Sequence, residues 1–391
     1  MMMKKIFANL NYLLLLLMVV YTVFGLLMIF SASSVSTVLR YGVSTDYFVI
    51  RQLIAMVLAY VAGFFVLFVP TTSRLYKWLS WSIYAGIVWL AALFVFGKVA
   101  GGALSWFEVG NRSLQPAEFV KLMLILFFAV YYSSLQKKKS KITFWTMMFP
   151  MGIAIVVCFL VLAQPDLGGA IIIAAISALV FFSLPYGKKE KSTIVKIGLG
   201  GAAIIAFLIF VCGVEIIKPY QVDRLFGFRN PCSTEKYSSG TGYQVCNGFI
   251  AIHNGGLTGV GLGDSTQKYL YLPEAHTDFI FPIIVEELGL IYGILVVVGY
   301  FVMLFIMLKI AKETDNLRSS ILAYGIFCYF LIHILVNLMG VLGIIPLTGV
   351  PLPFLSYGGS YNLCAVISLF VLQRIHYENR EAKLRRKIES L

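Results

Sequence analysis

Charge is what this chain lacks. Only 13% of its 391 residues are Asp, Glu, Lys or Arg, while 60% are hydrophobic. A soluble domain carries roughly 25% charged residues, so a water-soluble enzyme of this length is excluded. Ligands for structural zinc are also lacking. The four histidines (His253, His276, His333, His376) are scattered, and no Cys/His spacing of the zinc type occurs. Six cysteines are too few for a disulfide framework. Cys158, Cys212, Cys328 and Cys364 lie in apolar runs, where a free buried thiol is the plain reading. A cleavable leader is missing as well. Leu10–Phe30 is longer than a leader's apolar core, and further apolar runs follow it. It therefore reads as a first spanning helix, although Ser31, Ala32 and Ser33 imitate a cleavage site.

What is present is a series of apolar runs, most of them close to the ~20 residues needed to cross a ~30 Å hydrocarbon core. They predict an all-α polytopic membrane protein of about ten spans, forming one transmembrane domain over 1–391. The spans are Leu10–Phe30, Phe48–Phe68, Trp78–Phe96, Phe119–Tyr132, Phe144–Ala163, Gly168–Leu184, Ile194–Ile217, Phe279–Leu308, Ile321–Met339 and Tyr357–Gln373. The short fourth span is expected to begin at Pro116, which suits a first helical turn. Pro282 is expected to kink the eighth.

The net charge of +13 is placed asymmetrically. With the N-terminus inside, the inside segments hold 21 of the 31 basic residues and 6 of the 18 acidic ones. The positive-inside rule and anionic inner-leaflet lipid account for that bias, and nucleic acid is not needed. Both termini are then cytoplasmic, with 374–391 a basic tail. Three outside stretches stand out: Lys98–Gln115, a loop of about sixty residues from 218 to 278 between spans seven and eight, and Gly340–Ser356. The long loop is low in charge and rich in Gly, Tyr and Leu, so it is expected to dip into the membrane interface rather than be disordered. No repeated pair of broken helices, the signature of a secondary transporter, is visible.

Polar residues that composition does not explain collect outside. Glu274, His276 and Asp278 stand together where the eighth span begins. The plain reading is a helix cap by Thr277 or Asp278. The functional reading is a carboxylate serving as general base or metal ligand. Glu286 and Glu287, about two turns further, are either a buried structural ion pair or a functional pair. Glu118 and Lys121 share a helix face. With Arg112 they form a structural pair or a cationic subsite for an anionic substrate. Trp106 is an interface anchor or a wall of the site. The glycine run 255–263 lacks the strand and the Lys-Ser/Thr of a nucleotide loop, so it reads as tight backbone packing or a re-entrant turn. Thr348–Ser360, with its prolines and glycines, frees backbone groups at membrane depth and points to a polar cavity. Cys232 and Cys246 fall in one outer loop, where a disulfide is plausible.

These segments together resemble the SEDS family (shape, elongation, division and sporulation). The matching stretches are Gly102–Trp106, Leu114–Lys121, Gln164–Gly168, Gly242–Gln244, Gly255–Gly263, Gln267–Gly289 and Thr348–Ser360, in the family's order. Gly242–Gln244 and the Gln267–Glu274 run look more like the division type than the elongation type. The resemblance implies a peptidoglycan glycosyltransferase that polymerises lipid II at the outer face of the bacterial cytoplasmic membrane. It carries the family's essential Asp onto Asp278 and its functional Trp onto Trp106. It implies a class B penicillin-binding protein, a transpeptidase, as partner among other division-complex proteins. A divalent cation (Mg or Mn) at Asp278 is an open expectation, and no organic cofactor is implied. The chain departs from the family pattern at Asn247-Gly248, His253-Asn254, Pro282 and Tyr361.

Glycan extension needs a base for the attacking hydroxyl and cations for the leaving diphosphate. Asp278 is assigned the first role. Lys121 and Arg112, with Arg224 and Lys268, are candidates for the second. Glu118, Glu274, His276, Ser356 and Trp106 complete the expected substrate-binding set. A lipid-linked precursor transporter (a flippase), an elongation-type polymerase and a non-enzymatic division scaffold are the competing readings.

Overall fold

The computed structural model describes residues 2–100, 103–109, 112–137, 142–196, 231–232, 242–273 and 275–390. The expected spans appear as helices: α1 (Met2–Ala8), α2 (Tyr12–Leu39), α3 (Tyr47–Val66), α4 (Arg74–Leu79), α5 (Ser82–Phe96), α6 (Pro116–Lys137), α7 (Phe144–Ala163) and α8 (Leu167–Ser183), then α9 (Tyr243–Gly255), α10 (Ile280–Leu288), α11 (Leu290–Lys312), α12 (Leu317–Val341) and α13 (Gly359–Glu389). Among the described residues seven helical segments are long and apolar enough to cross a membrane, and α8 is a shorter apolar helix. From residue 197 the expected seventh span lies outside the described residues.

Local chemistry sets the boundaries. Asn11 caps α2 by accepting from the Leu14 amide at 3.0 Å. Thr143 and Thr146 form a reciprocal capping box on α7. Pro116 occupies the first turn of α6, which runs to Lys137 and is longer than the apolar stretch alone suggested. The first span is also longer than expected. Ser31–Ser33 continue helix α2 inside the bundle, so the imitation cleavage site is part of a buried helix face.

Helices α6 and α12 form the centre. Two thirds (67%) of their apolar windows are buried, against 22% for α3. α12 packs on α6, α8 and α11, and α13 packs on α3. The peripheral helices turn Phe65, Val88, Phe96, Trp145 and Phe159 outward, as a lipid-facing surface requires.

The segments expected inside gather at one end. The Asn11 amide donates to the Gln373 side chain at 2.8 Å, which ties the start of α2 to α13. Arg374 donates to the Leu67 carbonyl at 2.8 Å and to Glu378 at 2.9 Å. Glu378 in turn accepts from the Thr71 amide. Lys383 pairs with Glu313 and Arg386 with Asp315, so the basic tail is a helical continuation of α13 clamped to the α11–α12 turn.

Two expectations about the outer end change. Lys98–Leu114 is not simply loop: β1 (Lys98–Ala100), β2 (Ala103–Val109) and β3 (Arg112–Leu114) form a small antiparallel meander. The eighth span is not one helix kinked at Pro282. It breaks at Gly289, whose φ is +91°. Pro282 lies early in the short α10, where a missing N–H costs little.

The glycine run explains the break. The Val260 and Gly261 amides donate to the Glu286 and Glu287 carbonyls, at 2.9 and 3.0 Å, and the Leu290 amide donates to the Gly256 carbonyl at 2.9 Å. Backbone polar groups freed by the broken helix are thus paired inside the protein. Such proximity leaves no room for a side chain. A Cβ on Gly255 would lie 2.0 Å from the Val285 carbonyl oxygen. Gly255→Ala is therefore expected to push two backbones apart and to cost about 2–4 kcal/mol, beyond ordinary overpacking. A detergent melting curve should show a drop of several degrees, while Gly256→Ala, with open space around its Cβ position, pays only for its positive φ.

Candidate active site

The dispersed motifs converge at the end opposite the basic tail. The Leu104 amide of β2 donates to the Gln164 carbonyl at 3.1 Å. The Gln115 amide, just before α6, donates to Ser360 at 3.0 Å, and its side-chain amide reaches Asp166 at 3.4 Å. Asp166 caps α8 through the Gly169 amide at 2.7 Å. A Cβ on Gly168 would sit 2.6 Å from the Thr348 carbonyl, so the Gln164–Gly168 turn lies directly against the Thr348–Ser360 loop.

That loop enters the bundle. Val350, Leu352, Phe354, Leu355 and Ser356 are buried. Its freed backbone is satisfied by side chains. Ser356 Oγ accepts from the Leu352 amide at 2.8 Å, Asn362 accepts from the Phe354 amide at 3.0 Å and donates to the Ser356 carbonyl at 2.9 Å, and Tyr300 donates to the Pro353 carbonyl. Ser356 thus holds the loop's own turn.

Asp278 lies beneath this loop, 6% exposed. Asn337 of α12 donates at 2.8 Å to both the Asp278 and the Val350 carbonyls, which locks the carboxylate-bearing turn to the loop. Thr277 Oγ1 lies 3.1 Å from Asp278 Oδ1. Helix α10 starts at Ile280, with Phe279 at the cap position and no capping side chain. Asp278 therefore stands one residue before the cap position of α10.

His276 packs in a cluster with Phe48, at 4.4 Å between centroids, and Tyr357, at 5.7 Å. Its carbonyl accepts from the Tyr357 amide at 2.8 Å. Burial, helped by the nearby Arg40 charge, pushes its pKa down to about 4. The unfolded chain takes up a proton near pH 6.5 that the folded chain refuses until about pH 4. Stability is thus complete above pH 6.5 and falls as pH drops through that window. His276→Gln is expected to flatten the acid loss of melting temperature between pH 6.5 and 4, as read by melting curves of both proteins.

Lys121 and Glu118 form a buried pair at 2.7 Å. Tyr329 donates to Glu118 at 3.3 Å. His333 Nδ1 lies 2.7 Å from the Tyr329 carbonyl, so Nδ1 carries the proton and Nε2 accepts from Lys121 at 3.2 Å. Tyr361 stacks on His333 with centroids 4.7 Å apart. Tyr329, His333 and Asn337 are spaced by four and share one face of α12. A polar ladder therefore runs from the Asp278 carbonyl to the Glu118–Lys121 pair, about 6 Å per step.

Lys268 sits in a separate cluster. Its ammonium contacts Glu287 at 3.1 Å, Ser31 and the Gly263 carbonyl, with 3% of the side chain exposed. Ser31 donates to Glu287 at 2.6 Å. Glu286 accepts from Ser265, the Thr266 amide and hydroxyl, the Gln267 amide and Asn254. Glu287 is thus in a buried ion pair while the bonds described for Glu286 are to neutral groups, and both link the outer loop to the broken helix. Cys232 and Cys246 are disulfide-bonded, with Cα atoms 5.2 Å apart. Trp106 lies on β2, half-buried and opposite Lys98. Arg224, Glu274 and the side chain of Arg112 lie outside the described residues.

Arg51 was not foreseen. It lies four residues into α3, beside Tyr357, and covers the Tyr47 ring at 4.3 Å. A lone arginine near the outer edge of an apolar span was the available signal.

The chain matches the family model described as "Cell cycle protein" (FtsW, RodA and SpoVE) over residues 11–381. It is 36% identical to the probable peptidoglycan glycosyltransferase FtsW of Bacillus subtilis, over 100% of this chain and 96% of that one. It is 33% identical to stage V sporulation protein E of the same organism, over 91% and 94%. A solved peptidoglycan synthase complex, described as coordinating polymerization and crosslinking, contains a chain that superposes with a TM-score of 0.72 at 24% identity, over 95% of this chain and 98% of that one. The rod shape determining protein RodA of Thermus thermophilus superposes with a TM-score of 0.65 at 22% identity, over 95% and 97%.

Proposed function

The chain belongs to the FtsW/RodA/SpoVE family of cell cycle proteins, and on that footing we propose that it polymerises lipid II into glycan strands at the outer face of the bacterial cytoplasmic membrane during division. The observation that carries this reading is the junction of the Gln164–Gly168 turn and the Thr348–Ser360 loop with Asp278, a carboxylate whose turn is locked to that loop by Asn337. In the reaction, a sugar hydroxyl of one chain attacks the anomeric carbon of another. The new C–O bond forms as the bond to the lipid diphosphate breaks. Asp278 takes the hydroxyl proton, and undecaprenyl diphosphate departs with the bonding electrons.

The departing diphosphate requires positive charge. Lys121, Arg51 and Arg112 are the side chains we assign to it. Lys121 is itself paired with Glu118 and bonded to His333, whereas Lys268 spends its donors on Glu287, Ser31 and the Gly263 carbonyl. Among the described residues no three His, Cys, Asp or Glu side chains group as a metal cage. A Mg or Mn ion would fit here only as such ions commonly bind, on one carboxylate together with substrate phosphates; bound so, it would offset diphosphate charge. The relative described within a peptidoglycan synthase complex supports a class B penicillin-binding protein as partner.

The test is product. Purified chain with lipid II in detergent, with and without the partner and divalent cation, is expected to yield polymer. A transporter leaves lipid II unchanged in detergent, and that result would overturn the reading.

A further inference from the structure

The basic end holds a cavity that the transferase chemistry does not use. It lies between the start of α2, the end of α11 and the tail of α13, with a volume of about 490 Å³. Its walls differ in character. Leu13, Val302 and Phe305 form an apolar side that faces outward from the bundle. Lys309, Arg380 and Lys383 form a cationic side, with Glu313 as the single carboxylate between them. Glu313 pairs with Lys383 at 2.9 Å and lies 4.0 Å from Lys309.

The change of character follows the helix axis. Val302 and Phe305 are within the apolar length of α11, and Lys309 and Glu313 are at its end. Eight residues from Phe305 to Glu313 cover about 12 Å of axis, the depth over which a bilayer passes from acyl chain to headgroup. Three cations against one carboxylate leave net positive charge at headgroup level. The apolar side is open to the bilayer rather than to water. An anion with an attached hydrocarbon fits both walls, and a small free anion fits only one.

We propose that this cavity is a binding site for an anionic phospholipid of the surrounding leaflet, its phosphate on Lys309, Arg380 and Lys383 and its acyl chains on Leu13, Val302 and Phe305. Glu313 tunes the site, because it competes with the lipid phosphate for Lys309 and Lys383. The site is independent of the transferase reading, since it lies at the opposite end of the helices from Asp278.

The experiment is native mass spectrometry of the delipidated, full-length chain titrated with phosphatidylglycerol, phosphatidylcholine and inorganic phosphate. One phosphatidylglycerol should remain bound at concentrations where phosphatidylcholine does not. Arg380→Gln with Lys383→Gln should weaken that binding by about fivefold per cation removed. Glu313→Gln should strengthen it, a gain that misfolding cannot imitate. Arg385→Gln, on the same helix but paired with Glu381 away from the cavity, should change nothing. Equal retention of phosphatidylcholine, equal weakening by Arg385→Gln, or weaker binding by Glu313→Gln would overturn the proposal. Displacement of the lipid by millimolar inorganic phosphate would show a plain anion site and overturn it too.

Discussion

Asn in place of Asp278 is expected to abolish lipid II polymerisation, a loss of at least about 10²-fold from removal of the base alone. The chain should still fold. What anchors this turn is the Asp278 carbonyl, held by Asn337, and that contact survives the substitution. Asn also keeps an oxygen for the Thr277 hydroxyl that lies 3.1 Å from Oδ1. Melting temperature should therefore stay close to that of the parent while polymer disappears. The conservative Asp278→Glu variant separates two roles. As a base, a displaced carboxylate retains weak activity with its acid limb shifted in the pH–rate profile. As a metal holder, it raises the divalent cation concentration needed for half-maximal rate. Near-normal polymer from Asp278→Asn would remove the assignment altogether.

The sequence made most of the spans legible because they rest on composition, which a bilayer reads directly. It did not make the break in the eighth span legible. Gly289 sits in an apolar run whose hydropathy continues across it, and the cause of the break is the glycine run some thirty residues earlier in the chain. The glycines announce close backbone packing, but not which backbone they pack against. The same holds for Ser356 and Asn362. Ser356 is expected to bind substrate and Asn362 is not singled out, and in the structure both bond to amides and carbonyls of the loop itself. His333 is one of four scattered histidines in the sequence, and its place beside Lys121 depends on which helices become neighbours. Two departures from the family pattern also gain meaning only in three dimensions. A Cβ on Gly248 would lie 3.1 Å from the Phe279 ring and 3.6 Å from Pro282. The small residue on α9 and the ring on α10 thus occupy one contact.

Lys268 offers the second large effect, and it decides between two uses of a lysine. Lys268→Met leaves the Glu287 carboxylate, with none of its side chain exposed, without its cation. Breaking a buried pair in this way costs about 3–5 kcal/mol. The loss should appear as a strong drop in melting temperature and release of the 263–268 segment to limited proteolysis. Activity would fall too, which alone says nothing about mechanism. The double variant Lys268→Met with Glu287→Gln resolves it. The amide oxygen still accepts from Ser31, no charge is buried, and most of the stability should return. If Lys268 only staples the outer loop, the double variant polymerises lipid II with nearly unchanged KM and kcat. If Lys268 also grips the diphosphate, stability returns but KM rises well above that of the parent. The geometry favours the first outcome: the ammonium already spends its hydrogen bonds on Glu287, Ser31 and the Gly263 carbonyl, so no donor remains for a substrate phosphate without dismantling the staple.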